Sequence, residues 1–461
     1  MSRSTAEVVV VGAGIAGISA AFHLAVRKGL DGVVLVETGD PLALTSDKST
    51  ECYRNWWPGP GDAMVALMNR SIDLLERYEH ESGGRLRLGR RGYLFATAEP
   101  PRIDTFRAMA LEAQSLGAGE LRVHDGAQAT GADYVRSPAH GFEGVPQGSD
   151  LITDPALIRT EFPYLDPSVV AVLHARRCGW LSAQQLGMWM LERARDRGVK
   201  LLRGRVTGFD ASGGRIRGVS VSRPGGHTTI NTGALVLSPG PHLAELACTL
   251  GIELPVACER HLKVVFRDTE RAVPGDAPLL VWADPVVLPW SDEERAVLTA
   301  NEETRSLVEP FPAGIHGRPE GTPGDHWLMM LWTYDTETVD PVFPIPHDAR
   351  LPEIALRGWS RMLPSLKRYF TRLPRMAVDG GYYAKTSENR PLIGPLPIAG
   401  AWVNAAYSGF GIMGACAGGE LLAAHVCGAP LPPCAAAFHP ARFDDPGYLD
   451  AFASDSADGQ L

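Results

Sequence analysis

Two stretches almost four hundred residues apart share an apolar pattern broken by glycine: residues 8–22 read VVVVGAGIAGISAAF, and residues 408–422 read SGFGIMGACAGGELL. Four valines in a row suit a strand buried on both faces of a parallel sheet, and the small and apolar residues after the glycines continue as a helix. The pattern through residue 37 predicts strand, turn, helix, turn, strand. The second stretch predicts a turn and a last helix running on into LLAAHV. Apolar positions at helical spacing predict helices over 61–82 and 184–197, and RRGYLFATAEP (90–100) reads as a strand. Residues 198–221 predict a strand followed by a hairpin turning at Gly213-Gly214, and ALVLSPGPHLAEL (234–246) a strand and a helix.

Between 254 and 378 the pattern alternates, as in HLKVVFRD (261–268) and HWLMMLWTY (326–334). A polar stretch at 291–325 interrupts it and reads as a long surface loop, a candidate lid. Past 430 the chain becomes a tail, whose end (452–461, FASDSADGQL) has the composition of disorder. There are no internal repeats.

At 461 residues the chain exceeds one compact unit, so two domains are expected. The formal charge is −9 with no block of lysine and arginine, which disfavours nucleic acid and anionic lipid as partners. Seven scattered cysteines without a CxxC argue against a disulfide framework or a zinc site, and no histidine or carboxylate spacing predicts a metal. The apolar run at 8–26 has the length of a signal peptide or membrane span. Its three spaced glycines, His23 and the missing cleavage site favour a buried strand and helix instead, and a cytoplasmic location with no membrane span is expected.

Gly12, Gly14 and Gly17 complete G-x-G-x-x-G between a predicted strand and helix. The first makes the turn, the second admits a pyrophosphate to the backbone, and the third lets helix and strand pack closely. The helix N-terminus offers free N–H groups to the phosphates. Glu37, twenty residues after Gly17, can accept both ribose hydroxyls of an adenosine. No second such motif follows a strand, so one dinucleotide is expected, NAD or FAD.

Ordered features extend beyond this motif: TECYRNWW (50–57), GWLSAQQL (179–186), LSPG (237–240), GGYYAKTSENRPLIGPLP (380–397) and SGFGIMG (408–414). Over about residues 6–428 the chain resembles the D-amino-acid oxidase/sarcosine oxidase superfamily of FAD-dependent amine oxidoreductases, in its sarcosine oxidase and dimethylglycine dehydrogenase-like branch. The resemblance implies an α/β FAD-binding domain, Rossmann-like and of glutathione-reductase type, interleaved with an α+β substrate domain on an antiparallel sheet. It assigns 5–90, 148–255 and 377–430 to the first domain, 91–147 and 256–376 to the second, and 431–461 to the tail. In the family both ends of the chain wrap FAD: the first glycine run holds the pyrophosphate, and the last helix aims its N-terminus at the isoalloxazine.

The FAD-contacting positions implied are Gly12, Gly14, Ala16 and Gly17 in the first turn, Glu37 and Thr38 after the second strand, and Ser49 and Thr50 in the segment lying against the flavin. Val206, Pro239, Gly240 and Gly394 follow, and Gly409, Gly411, Ile412 and Met413 complete the set. Arg54 matches the arginine that grips the substrate carboxylate, although an arginine paired with a structural acid is the plainer reading. Tyr383 matches an active-site tyrosine, or is strand packing. Phe410 and Met413 stand where the family often has histidine and lysine, and Gly381 stands where monomeric sarcosine oxidases carry the flavin-linking cysteine. These departures imply non-covalent FAD, an apolar wall, weak binding of sarcosine, and a larger amine or apolar amino acid resting on Phe410, Met413 and tryptophans near Trp332.

The function implied is oxidation of a C–N bond of an amine or N-substituted amino acid by hydride transfer to the flavin, giving an imine. Oxygen or an electron-transfer protein would be the electron acceptor. The strand at 326–334 offers Met329 or Met330 where monomeric relatives place an oxygen-activating lysine, leaving Lys263 and Lys385 as candidates. Two alternatives stand: a 2-hydroxy-acid oxidase or dehydrogenase using His261 as base, and a non-catalytic FAD-binding assembly protein.

Overall fold

The computed structural model describes residues 2–57, 59–126, 133–321 and 324–452. A six-stranded sheet, in the order Lys200–Arg203, Val33–Glu37, Val8–Val11, Leu235–Leu237, Ala401–Ala405, Leu392–Pro395, is parallel except for its last, antiparallel edge strand. The valine run is buried along its whole length, as its lack of alternation requires. Against the sheet lie the helix Ile15–Phe22 and the last helix Gly411–Val426, with the helix Ala183–Asp196 packed on the first and Ala63–Glu81 on the last. The first and last helices touch closely: the Ser19 hydroxyl donates to the Ala415 carbonyl at 2.7 Å, and a Cβ on Gly419 would stand 2.3 Å from Ser19 Oγ. A four-stranded sheet carries the hairpin Arg205–Asp210/Gly218–Arg223, and Gly213 and Gly214 make its turn in the left-handed region.

The second layer is a nine-stranded sheet running Met376–Lys385, Ala257–Arg267, Trp327–Leu331, His316–Glu320, Leu279–Trp282, Tyr93–Thr97, Ala171–Ala175, Ser149–Ile152, Leu121–His124. It is mixed rather than purely antiparallel, because Leu279–Trp282 pairs parallel with Tyr93–Thr97 and Leu121–His124 pairs parallel with Ser149–Ile152. Strand pairing also displaces two of the expected domain boundaries. Ser149–Ile152 and Ala171–Ala175 bond into the nine-stranded sheet, not the parallel one, and so does Met376–Lys385. A two-stranded ribbon, Cys52–Arg54 against Cys178–Trp180, joins two of the sequence motifs and sets Arg54 opposite Cys178.

Two polar regions differ from expectation. Residues 291–325 are not one loop: Ser291 and Glu294 form a capping box that starts the helix Asp292–Ala300, and the strand His316–Glu320 follows. That helix buries none of its residues fully, although Leu298 packs on the core, and the S-x-x-E signal marked its start. Arg357, stacked 3.9 Å over Trp290, pins it through Glu294. The tail is ordered as far as residue 452, with Phe438 fully buried, while residues 453–461, expected to be disordered, lie outside the described residues. Arg442 ties this segment down by bonding Glu388, whose carboxylate is completely enclosed.

Replacing Arg442 by alanine leaves that carboxylate buried without its cation, and should cost about 3–5 kcal/mol. The double change Arg442→Met with Glu388→Gln should cost markedly less. Urea unfolding midpoints of the three proteins check both expectations.

Candidate functional site

At the C-terminal edge of the parallel sheet lies an elongated cleft of about 420 Å³, of a size to take a cofactor. Gly12, at φ +97°, turns the chain from strand to helix, and a Cβ there would lie 2.3 Å from the Ser238 carbonyl oxygen. Gly17 does not line the cleft. It sits behind the turn, where a Cβ would fall 1.9 Å from the Gly12 oxygen, so its part is to let helix and strand close. Gly14, Ala16, Glu37, Thr38, Ser49, Val206, Pro239, Gly240, Gly409, Gly411 and Ile412 all line the cleft. Gly394 does not: it lies on the antiparallel edge strand, and its α-carbon faces His439 and Pro440 of the C-terminal segment.

Glu37 holds the turn itself, accepting the Ala13 N–H at 2.8 Å and the Gly39 N–H at 2.9 Å. Two further serines line the cleft. Ser46 Oγ accepts the Ile15 N–H at the mouth of the first helix, and Ser238 Oγ is buried without a hydrogen-bond partner. Neither the first nor the last helix is capped by the side chain of its own N-cap residue or carries an acidic residue in its first turn, so apart from the Ile15 N–H taken by Ser46 both N-termini leave free N–H groups. The turn before the last helix is strained, with Ala406 (φ +58°) and Ser408 (φ +49°) in the left-handed region, a cost of about 1 kcal/mol or more each.

A second chamber, of about 50 Å³, shares Tyr383 and Gly409 with the cleft. Thr50, Arg54, Phe410 and Met413 line it, as do Trp57, Tyr93, Leu279, Leu331, His261, His316 and Thr333. Thus Arg54, Tyr383, Phe410 and Met413 are brought together. The Arg54 guanidinium is buried and lies 4.4 Å over the Trp57 ring, which meets Phe410 edge-on at 4.8 Å. Burial pulls the Arg54 pKa below the ordinary guanidinium value. Trp332 is not part of the wall: it packs on Gly358 and Phe311 and donates to the Pro312 carbonyl.

Gly409 is required here by Tyr383, whose ring a Cβ at 409 would meet at 2.5 Å. Tyr383 in turn stacks flat on His261, with centroids 3.8 Å apart, and burial pushes its hydroxyl up to about 12. His316 donates from Nδ1 to the Gly314 carbonyl at 2.9 Å, and burial lowers it to about 4. Burial also lowers His261, against the opposing pull of Glu259. Both imidazoles are therefore neutral near pH 7, in a chamber for which the sequence implied an apolar wall. His316, Thr333 and Tyr93 gave no sequence signal, because single residues far apart in the chain form no motif.

Of the two candidate lysines, Lys263 is buried with Nζ 3.3 Å from the Ser49 carbonyl oxygen, bordering the cleft. Lys385 instead pairs with Glu259 at 3.0 Å. Among the described residues no cluster of histidine, cysteine, aspartate or glutamate could hold a metal, and no helix is long and apolar enough to cross a membrane.

A parallel sheet with a glycine turn, an acid closing the second strand and two uncapped helix N-termini on one cleft define a dinucleotide-dependent enzyme of two interleaved sheets. Residues 7–425 match the family model of the FAD dependent oxidoreductases (DAO), and the chain belongs to that family. Among solved structures it is similar to L-proline dehydrogenase from P. horikoshii, with a TM-score of 0.72, 21% identity, and coverage of 96% of this chain and 98% of that one. Glycine oxidase from Geobacillus kaustophilus matches with a TM-score of 0.71, 17% identity, and coverage of 96% and 99%. Rat mitochondrial dimethylglycine dehydrogenase is 30% identical over 105 residues, 23% of this chain and only 12% of the relative's length. The residues present fit the family's cofactor: the orphaned Ser238 hydroxyl and the free N–H groups at both ends of the cleft are donors suited to phosphate and to an electron-rich ring.

Two glycine substitutions separate cofactor binding from packing. Gly17→Ala, which forces the helix off Gly12, should lower the FAD content of the purified protein at least about tenfold. Gly394→Ala should lower thermal stability yet keep one FAD per chain. The ratio of flavin to protein absorbance reads both.

Proposed function

We propose that this oxidoreductase removes two electrons from the C–N bond of a compact amino acid or N-alkyl amino acid, giving the imine. The observation that carries this reading is Arg54, buried on Trp57 in a small chamber of rings, hydroxyls and aliphatic side chains that adjoins the cofactor cleft at Tyr383 and Gly409. A buried guanidinium suits a carboxylate, with which it forms a charge-assisted hydrogen bond. The named activities of similar structures, proline dehydrogenase, glycine oxidase and iminodiacetate oxidase, all concern amino acids. Chamber size favours a compact side chain over the larger amine that the sequence suggested.

FAD, when bound, supplies the two-electron acceptor. Gly12, Gly14 and the first helix N-terminus would hold its pyrophosphate, Glu37 its ribose, and the N–H groups of the last helix's first turn would favour negative charge on the reduced ring. No cysteine lines either cavity among the described residues, which supports non-covalent attachment. Arg54 orients the substrate; Leu279, Leu331, Phe410 and Met413 exclude water from the carbon that loses hydrogen. Lys263, a buried amine beside the Ser49 carbonyl, would favour oxygen as acceptor over an electron-transfer protein. His261 in the chamber gives 2-hydroxy-acid oxidation a specific support as the second reading.

Anaerobic addition of glycine, sarcosine, N-methylalanine or L-proline should bleach the flavin band, while lactate and glycolate should leave it unchanged. Bleaching by the hydroxy acids alone would transfer the function to the second reading. With the best substrate, Arg54→Met should lower kcat/KM by roughly 10²- to 10³-fold, the loss of a charge-assisted pair worth about 3–4 kcal/mol, and Arg54→Lys by less.

Acid precipitation should leave all the yellow chromophore in the supernatant. A coloured pellet would overturn non-covalent binding.

A further inference from the structure

His261 lies between two hydrogen-bonding partners and faces the substrate chamber. Its Nε2 is 3.3 Å from Glu259 Oε2, and its Nδ1 is 3.4 Å from Thr333 Oγ1. Only the partners' chemistry is needed to order the protons. Glu259 is a carboxylate: burial opposes its ionisation, but the His261 hydrogen bond and the Lys385 ammonium at 3.0 Å hold its pKa below the usual range. A carboxylate only accepts, so Nε2 carries the imidazole proton and Nδ1 is left with a lone pair. The Thr333 hydroxyl therefore donates to Nδ1 and turns its own lone pairs to the chamber that both residues line. Carboxylate, imidazole and hydroxyl in that order form an arrangement in which a hydroxyl can pass a proton to a base.

We propose that Glu259, His261 and Thr333 form a proton-accepting chain that strips the ammonium proton from the bound amino acid, so that the enzyme takes its substrate as the abundant zwitterion. The inference rests on the C–N reading, because an ammonium nitrogen has no lone pair to support imine formation. In the step, the substrate N–H bond breaks as a new O–H bond forms at Thr333, while the hydroxyl's former proton forms an N–H bond at His261 Nδ1. One proton moves, no electron is exchanged, and the positive charge passes from the substrate to an imidazolium held by Glu259. Tyr383, stacked on the ring, fixes its plane. His261 is thus a positioning and proton-storing residue, and Thr333 the group that touches substrate.

The charged and titratable neighbours set the direction of the pH effect. They are Glu259 on the same strand, Lys385 and Tyr383 on the strand Met376–Lys385, Asp335 beyond the strand Trp327–Leu331, and His316 on the strand His316–Glu320. Burial outweighs Glu259 and places the His261 pKa below 6.5, so the chain is ready to accept at neutral pH and fails as pH falls through that lower value.

The test is the pH dependence of anaerobic flavin bleaching by the fastest amino acid of the panel above. It is paired with the affinity for pyrrole-2-carboxylate, which offers a carboxylate but no oxidisable C–H beside an amine. Wild type should show an acid limb below pH 6.5. His261→Asn and Thr333→Val should each slow bleaching at pH 7 by roughly 10²-fold. Both should regain most of the rate where the free amine itself deprotonates, and both should bind pyrrole-2-carboxylate within about threefold of wild type. Thr333→Ser should restore the wild-type profile. Superimposable pH profiles for wild type and Thr333→Val would overturn the proposal, as would failure of Thr333→Ser to rescue. Should His261→Asn not retain FAD, the two Thr333 variants decide alone. If no amino acid bleaches the wild type, the C–N reading has failed and the chain falls with it; bleaching with an unaltered profile fails the chain only.

Discussion

The arrangement depends on one close helix–helix contact, where Ser19 of the first helix meets Ala415 and Gly419 of the last. No larger residue fits: a Cβ on Gly419 would strike Ser19, and one on Gly418 would strike the Tyr407 hydroxyl. Because the two helices run so near each other, two uncapped N-termini separated by almost the whole sequence open on one cleft. The contact is cross-braced by Asn404, whose amide donates to the Ala16 carbonyl and whose oxygen accepts from Tyr407. Glycines that weaken an isolated helix by about 1 kcal/mol each are kept because the approach they permit sets the cofactor site.

How much of this was legible depended on whether a feature is local in sequence. The glycine turn, Glu37 and the last helix are contiguous patterns with one physical reading each, and all line or support the cleft. Arg54, Phe410 and Met413 were readable through their motifs, and the structure gathers them into one chamber. Gly394 was misplaced because its motif straddles a sheet edge, and the strand turns its glycine to the C-terminal segment. The 291–325 region was misread because its one helix spans nine residues within a long polar stretch and is marked mainly by its Ser291–Glu294 cap. Strand membership at 149–175 was unreadable for another reason: the parallel and mixed sheets exchange strands through long crossovers, and alternation does not say which sheet a strand joins.

The two cavities divide the electrostatic labour. The cleft sets backbone N–H groups and hydroxyls, donors that suit phosphates, beside the carboxylates Glu37, Asp40 and Glu245 and the guanidinium of Arg205. The chamber holds one permanent cation among rings and aliphatic side chains, with two imidazoles kept neutral by burial. Beside so buried a cation an attractive charge acts at lower effective dielectric than at the surface. Glu259, the nearby carboxylate, does not line the chamber and is engaged by His261 and Lys385.

Tyr383 connects the two. Its ring fills the space that Gly409 leaves open, lies flat on His261, and forms part of the wall between cleft and chamber. The Thr45 hydroxyl bonds the carbonyl of the preceding Tyr382, tying the loop over the cleft to the same strand. Any movement of that strand therefore shifts the cleft loop, the chamber wall and the imidazole together. The strain stored at Ala406 and Ser408, immediately before Gly409, is tolerated because packing on both sides over-determines the turn. That over-determination holds the chamber wall and the last helix's N-terminus in one fixed relation across Tyr383 and Gly409.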